Sequence, residues 1–221
     1  MIIIIGGSWG IGEWHLNELS GPGIGQYFAF EDRVINLCRS GLSAKQQLED
    51  LTHLLTKYQH DDADKFYWLV HNPLTGVPTQ DIYHKQTSLI ESAQNILDSH
   101  LDTANTVAKN NNLILHLIGC ACDLDTITKE YSNLRIVVPS WGRLLDDKYP
   151  TSIFAMQAEH MTDLKAELEV HRPDLLGEYR VISGKGFSKR RTMTKLDTMF
   201  KSFHPSSHAH RILKEHLRNN T

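Results

Sequence analysis

The segment Gly6-Gly7-Ser8-Trp9-Gly10-Ile11-Gly12 follows four consecutive isoleucines and sets one serine among glycines. A glycine-rich turn at the end of a strand can carry either of two chemistries. Free of side chains, its backbone N–H groups can cradle a pyrophosphate at a helix amino terminus. Alternatively Ser8 is a nucleophile, with small neighbours leaving room for an acyl group. Its own N–H, near a helix start, would then help bind a developing oxyanion. The two chemistries require different partners elsewhere in the chain.

A serine nucleophile needs a base. Near the other end, Ser202-Phe203-His204-Pro205-Ser206-Ser207-His208-Ala209-His210 offers a histidine followed by proline and a helix start. An imidazole with an ordinary pKa near ~6.5 exchanges protons with a hydroxyl at neutral pH. His204 is therefore the candidate base. Metal ligation by His204, His208 and His210 is not expected, because only His208 lies at helical spacing from His204 and no acid or thiol accompanies them. Cys120 and Cys122 lack the two intervening residues of a redox pair and read as small packing groups. Trp9, beside the serine, reads as a packing aromatic, with the wall of an acyl pocket as the other role open to it.

The phosphate chemistry has its own support. Gly6, Gly10, Ile11 and Gly12 resemble the Gly-x-x-x-Gly-Ile-Gly turn of short-chain dehydrogenases, and Arg39 stands where it could face a 2′-phosphate. That family also carries a catalytic Tyr-x-x-x-Lys, and none of the seven tyrosines here has a lysine four residues later. An NAD(P)-binding protein using the 6–12 turn stays as the alternative.

The elements that must position these residues read as an α/β chain. Strands are expected at 2–5, 33–37, 66–70, 113–118 and 134–138, each an almost continuous apolar run, as in strands covered on both faces. Between the third and fourth, Leu89, Ile90, Ala93, Ile96, Leu97, Leu101, Ala104 and Val107 recur at three- and four-residue steps and mark the core face of a long helix. Helices are also expected at 153–169 and 206–217. Successive βα units imply a parallel sheet, and ligands bind such sheets beyond the carboxyl ends of the strands. The loops at 6–12, 38–43, 71–76, 119–123 and 139–142 therefore rank first as site candidates.

In order and placement, these blocks resemble the SGNH or GDSL hydrolase family over nearly the whole chain. Gly6-Gly7-Ser8 corresponds to the family's Gly-Asp-Ser after the first strand. Gly41 matches the glycine after the second strand, and Asn72 the asparagine after the third. Lys201-Ser202-Phe203-His204-Pro205 corresponds to its Asp-x-x-His-Pro before the last helix. The resemblance implies one domain over residues 1–221 with a flavodoxin-like three-layer α/β/α fold on a five-stranded parallel sheet. It also implies a serine hydrolase acting on esters, needing no cofactor and no metal. Ser8 would be nucleophile and His204 base, with an oxyanion hole from the N–H groups of Ser8 and Gly41 and the side chain of Asn72. The substrate would be a small-molecule or carbohydrate-linked acyl ester. Gly7 stands in place of the family's aspartate, and Lys201 in place of its triad carboxylate. A member that has lost catalysis and keeps the fold for binding is a further reading.

Composition narrows the remaining classes. The 221 residues are 40% hydrophobic and 22% charged, ordinary for a globular chain, and the net charge of −3 supplies no broad basic field for nucleic acid. The basic run at 185–195 lacks interleaved aromatics for stacking bases and reads as a solvated face. Three cysteines without zinc-site spacing suit a reducing compartment. The apolar run at 2–5 is short for a signal peptide, and no apolar stretch approaches the ~20 residues that span a bilayer. A cytoplasmic protein without membrane or nucleic-acid partners is expected.

Overall fold

The computed structural model describes residues 1–11, 14–15, 18–19, 23–29, 32–71, 73, 89–120, 124–145, 200–201, 204–205 and 207–220. The chain runs through β1 (Ile2–Gly6), a 3-10 turn (Ser8–Gly10), β2 (Trp14–His15), β3 (Glu18–Leu19), α1 (Ile24–Phe28), β4 (Val34–Asn36) and α2 (Ala44–Leu55). It continues through β5 (Lys65–Val70), α3 (Leu89–Asn110), β6 (Leu115–Gly119), a second 3-10 turn (Leu124–Thr126), β7 (Leu134–Val138) and α4 (Trp141–Leu145). Further along the chain come β8 (Phe200–Lys201), β9 (His204–Pro205) and α5 (Ser207–Asn220). The helix expected at 153–169 lies outside the described residues.

Five strands form one sheet in the order β4-β1-β5-β6-β7, every neighbouring pair parallel. Counted along the chain this is order 2-1-3-4-5, the flavodoxin-like arrangement of a doubly wound sheet. The chain steps from β1 to β4 on one side and returns to β5 on the other. The order therefore reverses between β1 and β5, and the carboxyl ends of those strands frame the crevice.

β1 shows why the strands read as unbroken apolar runs. Ile2 and Ile4 face one core with Ile24, Phe28, Tyr67, Leu69, Trp141, Leu213 and Leu217. Ile3 and Ile5 face the other with Leu48, Leu51, Phe66, Trp68, Leu97 and Leu101. Side chains alternate across a strand, so covering both faces demands apolar residues at every position. All four isoleucines are buried, each worth about 1.5–3 kcal/mol of hydrophobic stabilisation.

The helices follow the same logic. In α3, Leu97, Leu101, Ala104 and Ala108 are buried at steps of four, three and four. Helix α2 starts at a capping box: the Gln46 N–H donates to Ser43 Oγ, and the Ser43 N–H donates to Gln46 Oε1. In α5, Ala209, Leu213 and Leu217 recur every fourth residue and are buried. Among the described residues no helix is long and apolar enough to cross a membrane.

One expectation fails at the first turn. Ser8 opens a three-residue 3-10 turn, and the chain next enters the β2–β3 hairpin, so no α-helix begins at the serine. Three residues align too few peptides to build a helix dipole, which removes that source of charge stabilisation at Ser8. The first α-helix comes later, as the five residues of α1.

A buried polar pair ties the second face to a site loop. The Trp68 indole N–H donates to Gln47 Oε1 at 2.8 Å, and Gln47 Nε2 donates to the Leu42 carbonyl at 3.0 Å. Gln47 thus links β5 to the loop containing Gly41. Gln47→Leu leaves the buried indole N–H without its acceptor and is predicted to lower stability by about 1–3 kcal/mol in urea denaturation. A change indistinguishable from zero contradicts that role.

Candidate functional site

The parallel register of β1 and β5 pairs Gly6 with Leu69, so Gly7 emerges beside the end of β5. Three glycines let neighbours close on the serine turn. A Cβ at Gly6 would lie 2.8 Å from Leu69 Cβ. One at Gly7 would lie 2.9 Å from both Cδ2 and Nε2 of His71. One at Gly10 would overlap Cys38 Sγ and sit 2.9 Å from Cys38 Cβ. Burial pushes the Cys38 thiol well above its ordinary pKa, so it packs beneath the turn as a neutral group and not as a thiolate.

Ser8 is half-buried at the head of the turn. The Gly10 N–H donates to the Gly7 carbonyl at 3.2 Å and the Ile11 N–H to the Ser8 carbonyl at 3.1 Å, closing the turn on itself. Asn36, at the end of β4, fastens it to the sheet. Its Nδ2 donates to the Gly10 carbonyl at 3.1 Å, and its Oδ1 accepts the Cys38 N–H at 3.0 Å. The second contact is an Asx turn, a local signature that asparagine two residues before a loop amide can provide. The first spans from the second sheet strand to the first loop and has no local signature.

Aromatic rings form a continuous row leading away from the turn. His71 meets Trp9 edge to face at 5.9 Å between centroids, and Trp9 meets Trp141 at 5.6 Å. Trp141 meets His210 at 5.0 Å, and His210 stacks on Tyr27 at 6.3 Å. Trp9, Trp141 and His210 are buried, so Trp9 packs the core and does not line an open pocket. Among the described residues no group of three His, Cys, Asp or Glu side chains could hold a metal ion.

The expected site residues fall as follows. β9, which contains His204, packs against the Ser8–Gly10 turn and on α5. Within the β8–β9 ladder, Lys201 is the register partner of His204. Gly41 is exposed, with φ +74° and, among the described residues beyond its chain neighbours, no atom within 4 Å of where its Cβ would stand. That φ favours glycine because a Cβ would crowd the following carbonyl. Its loop reaches the same sheet edge as Ser8, since the Arg39 N–H donates to the Gly6 carbonyl at 3.1 Å. Asn72 lies outside the described residues, between His71 and the buried Pro73. Asn36 and Gln47, which help shape this edge, lie outside the loops that rank first in the sequence, and His71 opens one of those loops, at 71–76, without a role of its own.

No protein-family model and no curated protein matches the chain. Among solved structures, a member of the lipolytic protein G-D-S-L family from Veillonella parvula DSM 2008 aligns over 99% of this chain and 96% of its own, with 12% identity and a TM-score of 0.39. The fold assignment rests on the strand order and the two covered sheet faces, not on that likeness.

The Asn36 clasp makes a direct prediction. Asn36→Ala removes both side-chain bonds and should speed hydrogen exchange at the Cys38 amide about tenfold while costing about 1 kcal/mol of stability. Unchanged exchange at that amide would show that the loop is held by other contacts.

Proposed function

We propose that the chain is a serine hydrolase of the esterase or acyl-hydrolase class. Ser8 is the nucleophile and His204 the base, and the oxyanion donors are the backbone N–H groups of Ser8 and Gly41 with the side chain of Asn72. The substrate is a small-molecule or carbohydrate-linked acyl ester. The observation that carries this reading is that β9, which contains His204, packs against the Ser8 turn from the opposite end of the chain.

In the proposed reaction, Ser8 Oγ attacks the acyl carbon as its proton passes to His204. The ester C–O bond then breaks, and the imidazolium returns that proton to the leaving oxygen. Water, deprotonated by His204, cleaves the acyl-serine and releases the acid with Ser8 restored. None of these steps calls on a cofactor or a metal. Lys201, in register with His204, holds the place of a carboxylate. An imidazolium without a carboxylate partner loses both charge support and orientation, a deficit of about 10⁴ in turnover in a well-studied triad. Slow turnover is therefore part of the proposal.

The NAD(P)-binding alternative meets three obstacles. A dinucleotide-binding sheet has the order 3-2-1-4-5-6, whereas this one has its second strand at the edge. The glycine turn opens a hairpin where a pyrophosphate needs a helix amino terminus. Arg39, the candidate for a 2′-phosphate, is paired with Asp50. A silent binding protein on the same fold is separated from the hydrolase by chemistry alone.

Hydrolysis of a short-chain p-nitrophenyl ester provides that test. Ser8→Ala is predicted to lose most of the wild-type rate above buffer, and Lys201→Asp to raise kcat by tenfold or more, short of the ~10⁴ a triad carboxylate supplies. Equal rates for wild type and Ser8→Ala rule out the nucleophile. A saturable change in tryptophan fluorescence on adding NADPH, with no hydrolysis, favours the alternative.

A further inference from the structure

Gly7 has φ −94° and ψ −155°, an extended conformation open to any residue. Its backbone does not call for glycine. What excludes a side chain there is the His71 ring, whose Cδ2 and Nε2 would each stand 2.9 Å from a Cβ. Trp9 also meets the half-buried ring, edge to face at an interplanar angle of 85°, and Trp9 is backed by Trp141 at 5.6 Å. Trp9 and Trp141 are 3% and 0% exposed, so neither has space into which to withdraw. One imidazole therefore touches the residues on both sides of Ser8.

We infer that His71 is a positioning residue for Ser8: its ring, seated on Gly7 and against Trp9, fixes the direction of the Ser8 N–H and hydroxyl. The inference rests on the reading of Ser8 as nucleophile and adds a residue outside the nucleophile, base and oxyanion set. The ring acts by shape. A flat ring without nitrogens should therefore replace it, and a polar side chain without a ring should not. Because the ring sets the reacting group and not the substrate surface, its loss should appear in kcat and leave KM nearly unchanged.

The test uses the full chain and two readouts. The first is the rate of fluorophosphonate labelling, with kcat and KM for the p-nitrophenyl ester, in wild type, His71→Ala, His71→Gln and His71→Phe. His71→Ala and His71→Gln should each lose tenfold or more in labelling rate and kcat with KM within about twofold, and His71→Phe should return to within about threefold of wild type. Labelling of His71→Ala at the wild-type rate overturns the inference. So does a His71→Phe as slow as His71→Ala, since a ring nitrogen would then be the essential feature.

The second readout is the melting temperature of Gly7→Ala, alone and combined with each His71 variant that folds. A methyl at position 7 should lower Tm beside the native ring and lose most of that effect once the ring is gone. Additive effects overturn the inference. If the wild type does not label at all, the nucleophile reading fails on its own, and the cycle alone decides whether His71 clamps the turn.

Discussion

The candidate site depends on three missing side chains. Gly6, Gly7 and Gly10 allow Leu69, His71 and Cys38 to reach the backbone around Ser8, and any Cβ at those positions would stand closer than 3.0 Å to one of them. Packing of this density leaves a turn little freedom. A short 3-10 turn, which has few hydrogen bonds of its own, is thereby held by its surroundings. The Asn36 bond to the Gly10 carbonyl completes the enclosure from the second sheet strand.

That enclosure is a product of topology. The reversal of strand order between β1 and β5 leaves both strand ends open to one crevice, and the parallel register then sets Gly7 beside His71. The aromatic row from His71 through Trp9 and Trp141 to His210 joins the turn to α5, the helix that follows β9. The contact of β9 with the Ser8–Gly10 turn is accompanied by burial of His210, Leu213 and Leu217 on the helix that follows it. Apolar burial of α5 thus positions the strand before it.

The five sheet strands were legible because each is apolar on both faces. The run at 134–138 coincides with β7, and the long helical stripe lies within α3. Strand ends moved by a residue or two: β4 is assigned as Val34–Asn36, although bonds from Ile2 to Arg33 and from Leu37 to Ile4 continue the pairing. The turn itself was legible as glycine-rich, but its 3-10 form was not. Helix α1 was hidden because five residues among Gly21, Gly23 and Gly25 are too few for periodicity to register. The roles of His71, within the 71–76 loop, and of Asn36 were not legible for a different reason. Their contacts to Gly7 and Gly10 join residues far apart in sequence and exist only once β1 lies between β4 and β5.

As the proposed nucleophile, Ser8 would form a covalent bond with an acyl or phosphonyl group. Peptide mapping by mass spectrometry after treatment with a fluorophosphonate locates that bond directly. The added mass is expected on the peptide containing Ser8, with fragment ions assigning it to that residue. A stoichiometric adduct on another serine, or none under conditions that label a serine hydrolase control to completion, would contradict it.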